Sequence, residues 1–451
     1  MEDTYNKGTH DLKTPQQEKK TPSLLSIEQV ANIEEAIKKN LNRRDLFMMN
    51  ACVHCGICAK ACHYYQSTSD PNLMPAMKLV TLRDTLRDHF GIISGSIRIL
   101  RKRKPLDTRS LDKLFTAAFE ECTLCGRCAI TCPMGINVGK LMFTARTLLC
   151  SVQQLPSGLV DPVKAALSIG NFISMSTEDF VDSIEWIAEE MEDDVNEKGF
   201  SIPIDKKDKE VLYIPHPLEV RDFPFLLMNA ITILHTAGED YTFSSYGFDT
   251  VNYAYHQGNP DSMVQMVNRV LKARETLRAK KIVLAPCGHG YKVLRWDSEK
   301  HLGRSHPFPI LTIVEQTANY LSAGRIKFEK DKIEGPVTFH DPCNIARCGG
   351  IIDPPRNILR ALTSHFVEME PHGALNYCCG GGGGLASTTA YRWHRIAMGK
   401  AKAEQIRKTG AKIVATSCFN CMTQIRDLNQ EYDLGIEVKS IVELAANSLK
   451  R

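Results

Sequence analysis

The chain has 451 residues, long enough for two or three domains that each form a core of their own. Hydrophobic residues make up 43% and charged residues 24%, as in ordinary globular proteins, and a net charge of +4 is too small to indicate nucleic-acid binding. The longest apolar run, Phe223–Leu234, is shorter than the ~20 residues that cross a bilayer, so we expect no transmembrane helix.

The first 23 residues are rich in Lys, Gln, Thr and Pro and predict a disordered tail. They contain no apolar segment of the kind that directs secretion. The sixteen cysteines of the chain, several of them in Cys-x-x-Cys pairs, therefore favour metal binding over disulfide bonds.

Two cysteine runs of identical spacing follow, the first beginning at Cys52 and the second at Cys122. Each reads Cys-x-x-Cys-x-x-Cys-x-x-x-Cys, the bacterial ferredoxin pattern in which the fourth cysteine of each run ligates the other cluster. Zinc would leave the fourth cysteines and the repeat unexplained. His63 stands where the pattern usually has proline. The runs predict two [4Fe–4S] clusters, the first held by Cys52, Cys55, Cys58 and Cys132, the second by Cys122, Cys125, Cys128 and Cys62.

The segments between and after these runs are predicted to be mainly helical. Met77–Leu86 carries apolar residues at helical spacing and indicates a helical insertion. The basic run Arg98–Lys104 is either a solvated loop or a docking site for an acidic partner. Cys150 lies in an apolar helical pattern and is interpreted as a buried hydrophobic residue. The acidic run Glu189–Asp194 indicates a linker, which places a domain boundary near residue 205.

After residue 210, short strand patterns alternate with longer helical patterns such as Asp261–Ala279 and Ala390–Lys408. This alternation is typical of α/β units. The predicted strands are Val211–Ile214, Tyr241–Ser244, Lys281–Ala285, Pro336–His340, Phe366–Met369 and Lys412–Thr416.

This region contains an internal repeat. Lys281–Gly290 aligns with Lys412–Cys421, and Asn252–Tyr255 aligns with Asn376–Cys379. The first copy retains Cys287 but has other residues at the remaining cysteine positions of the second copy. Those residues are Ala254, Tyr255 and Gly290.

The predicted fold class is α plus α/β. An N-terminal helical ferredoxin domain with two [4Fe–4S] clusters spans residues 24–205, after the tail of residues 1–23. Two pseudo-symmetric α/β halves follow, a degenerate one at 206–330 and an intact one at 331–451.

The second half contains the pair Cys378-Cys379, followed by the glycine run Gly380–Gly384. Five glycines contribute no side-chain burial and cost backbone entropy, so we expect the backbone there to approach a bulky inorganic group closely. Further cysteines lie at suitable distances on both sides of the pair. They are Cys343 and Cys348 upstream, and Cys418 and Cys421 downstream.

The order of Cys343, Cys378-Cys379-Gly380 and a final Cys-x-x-Cys resembles the cysteine-rich "CCG" domain of heterodisulfide reductases. With the ferredoxin runs in front, residues 45–445 resemble the HdrD-like subunits. One intact and one stripped CCG half are most similar to the DsrK-type catalytic subunits of DsrMKJOP membrane complexes, a match that His340–Asn344 supports.

The resemblance implies an unusual iron–sulfur cluster that is held by up to five thiolates and acts directly on a disulfide. Disulfide cleavage takes two electrons, whereas cubane clusters deliver one at a time, so a centre that holds a half-reduced sulfur intermediate is needed. The positions that match the family's ligands are Cys343, Cys378, Cys379, Cys418 and Cys421.

Four further residues are assigned tentative roles. Cys348 either replaces or supplements Cys343, and Cys287 is either a ligand or substrate contact or a relic core thiol. His289 and His340 are candidate proton donors, although a lone histidine is more often structural. Backbone N–H groups that point toward cluster sulfur are expected at Gly380, Gly381 and Gly382.

The resemblance also implies partners and a location. Electrons would come from a haem b and quinone membrane subunit like DsrM, within a complex of further subunits. The substrate would be a disulfide or trisulfide on a small sulfur-carrier protein like DsrC, in dissimilatory sulfur metabolism, and the oxidative direction is equally compatible. We expect the chain on the cytoplasmic face of the membrane, attached through a partner.

Two other functions stay open. The chain is alternatively the electron-transfer subunit of a flavoprotein dehydrogenase of the glycolate or glycerol-3-phosphate type, although those chains usually carry two CCG motifs. The other alternative is a non-catalytic module that only relays electrons and docks partners.

Overall fold

A computed structural model describes residues 23–92 and 103–450. Apart from Ser23, the predicted tail lies outside the described residues, as do Arg98, Arg101 and Lys102 of the basic run. Within the described residues, no helix is both long and apolar enough to cross a membrane. The apolar run Phe223–Leu234 instead forms most of a helix whose inner side is buried.

The first part of the chain is helical. Its α-helices are α1 Ile27–Asn40, α2 Arg43–Asn50, α3 Ile57–Ala61, α4 His63–Thr68, α5 Pro75–Phe90, α6 Thr108–Phe115, α7 Arg127–Ile130, α8 Val138–Cys150, α9 Val160–Ser168, α10 Thr177–Glu190 and α11 Glu192–Val195. Short 3-10 helices lie at Pro71–Leu73 and Ser157–Leu159, and a π-helical turn at Thr116–Glu120.

Helix α8 lies at the centre of this part and packs against α1, α5 and α6. Its apolar side chains, among them Leu141 and Leu148, are buried against Leu79 and Leu82 of α5. The predicted helical insertion is thus α5, which begins at Pro75, where proline suits a helix start. Cys150 is buried at the end of α8.

Two four-stranded parallel sheets follow. The first has the order β2-β1-β3-β4 and the second the order β6-β5-β7-β8. In each, the central pair is fully registered, with Val211 opposite Lys281 and Val337 opposite Ile413. The strands are β1 Val211–Ile214, β2 Tyr241–Thr242, β3 Lys281–Leu284, β4 Ile310–Thr312, β5 Val337–His340, β6 Phe366–Val367, β7 Ile413–Thr416 and β8 Glu437–Ser440.

Helices connect the parallel strands, as crossover connections require. In the first half they are α12 Pro217–Arg221, α13 Pro224–Thr236, α14 Tyr253–Gln257, α15 Pro260–Leu277, α16 Gly288–Lys292, α17 Ser298–Leu302 and α18 Ile313–Ser322, with a π-helical turn at Val293–Asp297. In the second half they are α19 Asp353–Leu362, α20 Arg392–Met398, α21 Lys400–Arg407, α22 Phe419–Tyr432 and α23 Ile441–Asn447, with 3-10 turns at Gly373–Leu375, Leu385–Ser387 and Thr389–Tyr391.

The structure differs from the predicted elements at a few places. The edge strands β4 and β8 were not predicted. The predicted helix Ala390–Lys408 is interrupted between α20 and α21 by Gly399, where a Cβ atom would lie 2.6 Å from Leu428. Strands β2 and β6 are shorter than predicted.

The first sheet lies between two cores. Leu212 and Ile214 of β1 face the helical part and α15, whereas Tyr213 faces a core that it shares with Phe339 of the second sheet. Helices α13 and α23 pack against each other within this shared core. The carboxyl ends of both sheets, where Cys287 and Cys418 follow their strands, thereby meet. We keep 24–205, 206–330 and 331–451 as the proposed division of the chain.

Candidate metal centres

The two ferredoxin runs repeat one backbone conformation. The residue before the second cysteine has a left-handed φ in both, +54° at His54 and +57° at Leu124. The residue after it is a left-handed glycine, Gly56 at +77° and Gly126 at +72°, and a short helix starts there. Glycine adopts this conformation without steric cost, which lets the chain wrap so that the following cysteine joins the first two.

The first ferredoxin group consists of Cys52, Cys55, Cys58 and Cys132. Burial raises the pKa of the Cys58 thiol, and the nearby charges of Cys52, Cys132 and Cys55 raise it further. The N–H of Ala76 donates to the Cys58 sulfur. Cys55 is exposed, so this group lies close to the protein surface. The structure thus brings the fourth cysteine of the second run to the first run.

The second ferredoxin group consists of Cys62, Cys122, Cys125 and Cys128. Burial raises the pKa of the Cys128 thiol well above its usual value, with further contributions from Cys125, Cys122 and Cys62. Here the fourth cysteine comes from the first run. The crossed arrangement therefore appears in both groups.

A buried lysine distinguishes the second group from the first. The ammonium of Lys78 is 3.9 Å from the Cys62 sulfur, donates to the carbonyl of Glu121 and lies over the Tyr64 ring. Burial alone would lower the pKa of Lys78, but the negative charges of Cys62 and Cys122 hold it above its usual value. A fixed positive charge beside these thiolates stabilises negative charge at this site.

The C-terminal thiol group consists of Cys343, Cys378, Cys379, Cys418 and Cys421. Cys343 follows β5, Cys418 follows β7, and Cys421 lies in the first turn of α22. The sulfur atoms of Cys379 and Cys421 are 3.5 Å apart, and Cys378 contacts both Cys379 and Cys343. The structure therefore brings together all five cysteines that the resemblance implied.

Backbone N–H groups stabilise the thiolate form of Cys418. Contact with Cys421 lowers the pKa of Cys418 to about 7, and the N–H groups of Cys421, Gly288 and Asn420 contribute. Asn420 and Cys421 lie in the first turn of α22, where N–H groups lack helical partners. Gly288 belongs to the first half, so the degenerate half donates directly to the thiol group of the intact half.

The glycine run contacts both sulfur and protein. The N–H of Gly380 is 3.4 Å from the Cys378 sulfur, and the N–H of Gly381 donates to Cys379. At Gly383 a Cβ atom would lie 2.8 Å from the Cα of Thr123, beside Cys122 of the second ferredoxin group. The run therefore allows the two cysteine regions to approach each other, a role the sequence analysis did not foresee.

The second ferredoxin group and the C-terminal thiol group meet at one place. The sulfur atoms of Cys125 and Cys378 and a ring nitrogen of His63 all lie within 4.8 Å of one another. The Thr123 hydroxyl is 3.5 Å from the Cys378 sulfur. Arg347 secures the junction, because its guanidinium donates to the backbone carbonyl of Cys125.

Of the two candidate proton donors, His340 lies in the C-terminal thiol group. A ring nitrogen of His340 and the sulfur atoms of Cys379 and Cys421 lie within 4.8 Å of one another. Its Nδ1 is 3.3 Å from the amide nitrogen of Asn376, and burial holds the pKa of His340 well below its usual value. The buried ammonium of Lys402 donates to Asn376 at 2.6 Å, and burial lowers the pKa of Lys402 to about 7.

The other candidates lie in the first half. Cys287 is buried and close enough to Cys418 for that charge, after burial itself, to raise the pKa of its thiol. The Nδ1 of His289 is 3.8 Å from the Cys287 sulfur, and its ring lies 4.5 Å from that of His256. Burial lowers the pKa of His289 to about 4. Cys287 thus borders the C-terminal thiol group from the opposite half.

Cys348 lies elsewhere. It lines a cavity of about 450 Å³ between the helical part and the first half, together with Tyr255, Lys292, Asp297 and Arg347. After burial, the charges of Lys292 and Arg347 have the largest effects on the pKa of its thiol. The structure does not bring Cys348 into the C-terminal thiol group.

Sequence reasoning missed four residues at these sites. They are buried or half-buried bases whose contacts depend on distant segments, so spacing gave no signal for them. The departure from the ferredoxin pattern at position 63 was the one available clue. The missed residues are His63, Lys78, Arg347 and Lys402.

The donor sets fit iron–sulfur clusters. All sixteen cysteines are free thiols, and thirteen of them form the three groups described above. Soft thiolates that converge from separate segments, four in each ferredoxin group and five in the last, suit iron–sulfur clusters. N–H donors to sulfur, as from Ala76 and Gly380, are the outer contacts that such clusters use.

Comparisons with known families agree with this arrangement. Residues 48–136 match the 4Fe-4S dicluster domain, and residues 337–426 match the cysteine-rich domain called CCG. The first match contains both ferredoxin runs, and the second contains all five members of the C-terminal thiol group.

Curated relatives cover nearly the whole chain. The Hdr-like menaquinol oxidoreductase iron-sulfur subunit 2 of Archaeoglobus fulgidus is 26% identical over 98% of this chain and 85% of its own length. The HdrD polypeptide of the dihydromethanophenazine:CoB–CoM heterodisulfide reductase of Methanosarcina barkeri is 25% identical over 91% and 96%. The EtfAB:quinone oxidoreductase of Syntrophomonas wolfei is 23% identical over 88% of this chain and 58% of its own length.

Fold and sites together define an iron–sulfur protein that joins a [4Fe–4S] dicluster domain to a cysteine-rich α/β domain. It is a heterodisulfide-reductase-like chain, similar to the Hdr-like menaquinol oxidoreductase iron-sulfur subunits and to the HdrD polypeptides of heterodisulfide reductases. The predicted resemblance, fold class and iron–sulfur cofactors are confirmed.

Proposed function

We propose that this chain is the electron-transferring and disulfide-reducing iron–sulfur subunit of a membrane quinol oxidoreductase. Electrons enter at the first ferredoxin group, pass to the second and reach the C-terminal thiol group, where a disulfide is reduced or, in the opposite direction, formed. The contact between Cys125 and Cys378, within 4.8 Å, carries this proposal.

The burial of the three groups supports this order. Cys55 of the first group is exposed, which suits a site that receives electrons from a partner. The second group is buried and lies beside Lys78, whose positive charge favours a reduced, more negative centre. Cys378 and Cys379 are each 3% exposed and border the second group.

The residues of the last site have distinct proposed roles. Five thiolates would hold the special cluster, which supplies a centre able to pair single electrons for a two-electron disulfide cleavage. The N–H groups of Gly288 and Gly381 donate to Cys418 and Cys379 and stabilise their negative charge. The Nε2 of His340 has no hydrogen-bond partner among the described residues and lies near Cys379, so it suits proton delivery to a released thiolate.

The finer assignment follows the resemblance to DsrK-type subunits. The electron donor or acceptor is a haem b and quinone membrane subunit like DsrM, with further subunits in the complex. The sulfur substrate is a disulfide or trisulfide on a small carrier protein like DsrC. This places the chain on the cytoplasmic face of the membrane, attached through its partner.

Replacement of a C-terminal thiol tests the proposed function. Cys379→Ala should lose reduction of a DsrC-type disulfide by reduced methyl viologen, while the EPR signals of both cubanes stay. Tyr255→Phe, at the position that aligns with Cys379 in the first half, is the matched control and should keep both. Wild-type disulfide reduction by Cys379→Ala would refute the proposal.

A second candidate is an electron relay for a flavoprotein. The similarity to the EtfAB:quinone oxidoreductase favours it. A relay passes electrons from a flavin subunit to a quinone site without disulfide turnover. Flavin-driven quinone reduction that survives in Cys379→Ala, together with copurification of a flavin subunit, would favour this candidate over the first.

A further inference from the structure

His63 occupies a position at which the ferredoxin repeat does not require histidine. It is the first residue of α4, directly after Cys62, and the corresponding residue of the second run is Pro133. Proline suits this helix position, because its fixed φ matches the helix and its missing N–H would have no helical partner. The local backbone therefore gives no reason for histidine.

The ring of His63 is buried at the junction between the two cysteine regions. One of its nitrogens lies within 4.8 Å of the sulfur atoms of both Cys125 and Cys378, and the imidazole hydrogen-bonds to Cys125. Among the described residues, Nε2 has no conventional hydrogen-bond partner. Leaving a buried polar atom unpaired costs about 1–3 kcal/mol, so a group at the junction must offset this cost.

The chemical state of the ring suits a hydrogen-bond donor. Burial holds the pKa of His63 below its usual value, with the positive charges of Lys78 and Arg347 acting in the same direction. A neutral imidazole carries one N–H donor. The four thiols of the second ferredoxin group already supply the ligands that a cubane needs, so the ring is not required as a ligand.

We infer that His63 is a positioning residue for electron transfer between the second ferredoxin group and the C-terminal thiol group, through an N–H···S bond to Cys125. The inference rests on the proposed electron path. A hydrogen bond to a cluster thiolate raises the reduction potential, because it stabilises the added negative charge of the reduced state. His63 thereby makes the second cluster the better acceptor and orients Cys125 toward Cys378.

The test is an EPR-monitored redox titration of the anaerobically purified chain. In His63→Pro, one cubane should show a lower midpoint potential, by at least the 59 mV that corresponds to a tenfold change for a one-electron centre. The other cubane should be unchanged. His63→Gln, which restores an N–H donor, should recover most of the shift.

A control is available in the first run. His54→Leu removes an exposed histidine and introduces the residue present at the equivalent position of the second run, Leu124, so both potentials should stay at their wild-type values. Unchanged potentials in His63→Pro would overturn the inference, as would loss of one cluster's iron in both His63 variants. These potentials are independent of disulfide turnover, so failure here is distinguishable from failure of the proposed function.

Discussion

The two α/β halves have the same sheet order and different chemistry at the same positions. Both place a segment after the third strand, β3 or β7, at the meeting point of the sheets. In the second half that segment is Cys418–Cys421, and in the first it is Cys287–Gly290. The parallel sheet therefore fixes where side chains converge, and the side chains alone decide whether a metal can be held there.

The first half has other side chains at the positions that carry cysteines in the second. Tyr255, which aligns with Cys379, stacks on Phe143 of α8 at 5.4 Å and lies under the ammonium of Lys292. Ala254 is fully buried in the same core. Residues that correspond to ligands in one half thus attach the helical part to the other. The degenerate half serves as a platform, and it still donates the N–H of Gly288 to Cys418.

The largest effect on stability is expected where the intact half alone has a buried ion pair. Arg356 makes two 2.9 Å bonds to Asp341, just before Cys343, whereas the aligned residue of the first half is His216. Arg356→Met leaves the Asp341 carboxylate buried without its partner, which costs about 3–5 kcal/mol. Denaturant unfolding should show this loss.

Arg360→Met provides the matched control, because Arg360 lies on the same helix and is exposed. Exposed substitutions usually change stability by within ±0.5 kcal/mol. Equal stabilities of the two variants would mean that the ion pair does not hold the segment that carries Cys343.

A smaller effect should show that the first half cannot regain a cysteine at position 290. A Cβ atom on Gly290, which aligns with Cys421, would lie 2.5 Å from the carbonyl oxygen of Thr250. Gly290→Ala and Gly290→Cys should both lower stability by about 1–3 kcal/mol, since the Cβ atom causes the clash in each. Thermal unfolding measures this. A stable Gly290→Cys that binds extra iron would contradict the account.

The sequence was sufficient to predict the central strands and to select the cysteines. Strands β1, β3, β5 and β7 are apolar runs, and the ferredoxin spacing carries its own ligand logic. The edge strands escaped notice, because β4 has three residues and the exposed Glu437 and half-buried Lys439 make β8 read as a polar segment.

Contacts between distant segments could not be predicted from spacing. His63 and Cys378 lie far apart in the chain, and only the packing of the glycine run against Thr123 brings them together. The placement of Cys348 in a separate cavity is equally a consequence of tertiary packing. Spacing identified the thiols, and the fold decided their neighbours.

The central claim is that the C-terminal thiol group holds an iron–sulfur centre in addition to the two cubanes. The most direct measurement is iron and acid-labile sulfide per chain, with EPR, for the anaerobic wild type and for Cys418→Ser. The wild type should contain more iron than the eight atoms of two [4Fe–4S] clusters, and the variant should return to eight with both cubane signals intact. Eight iron atoms in the wild type, or zinc bound by these five cysteines, would contradict the claim.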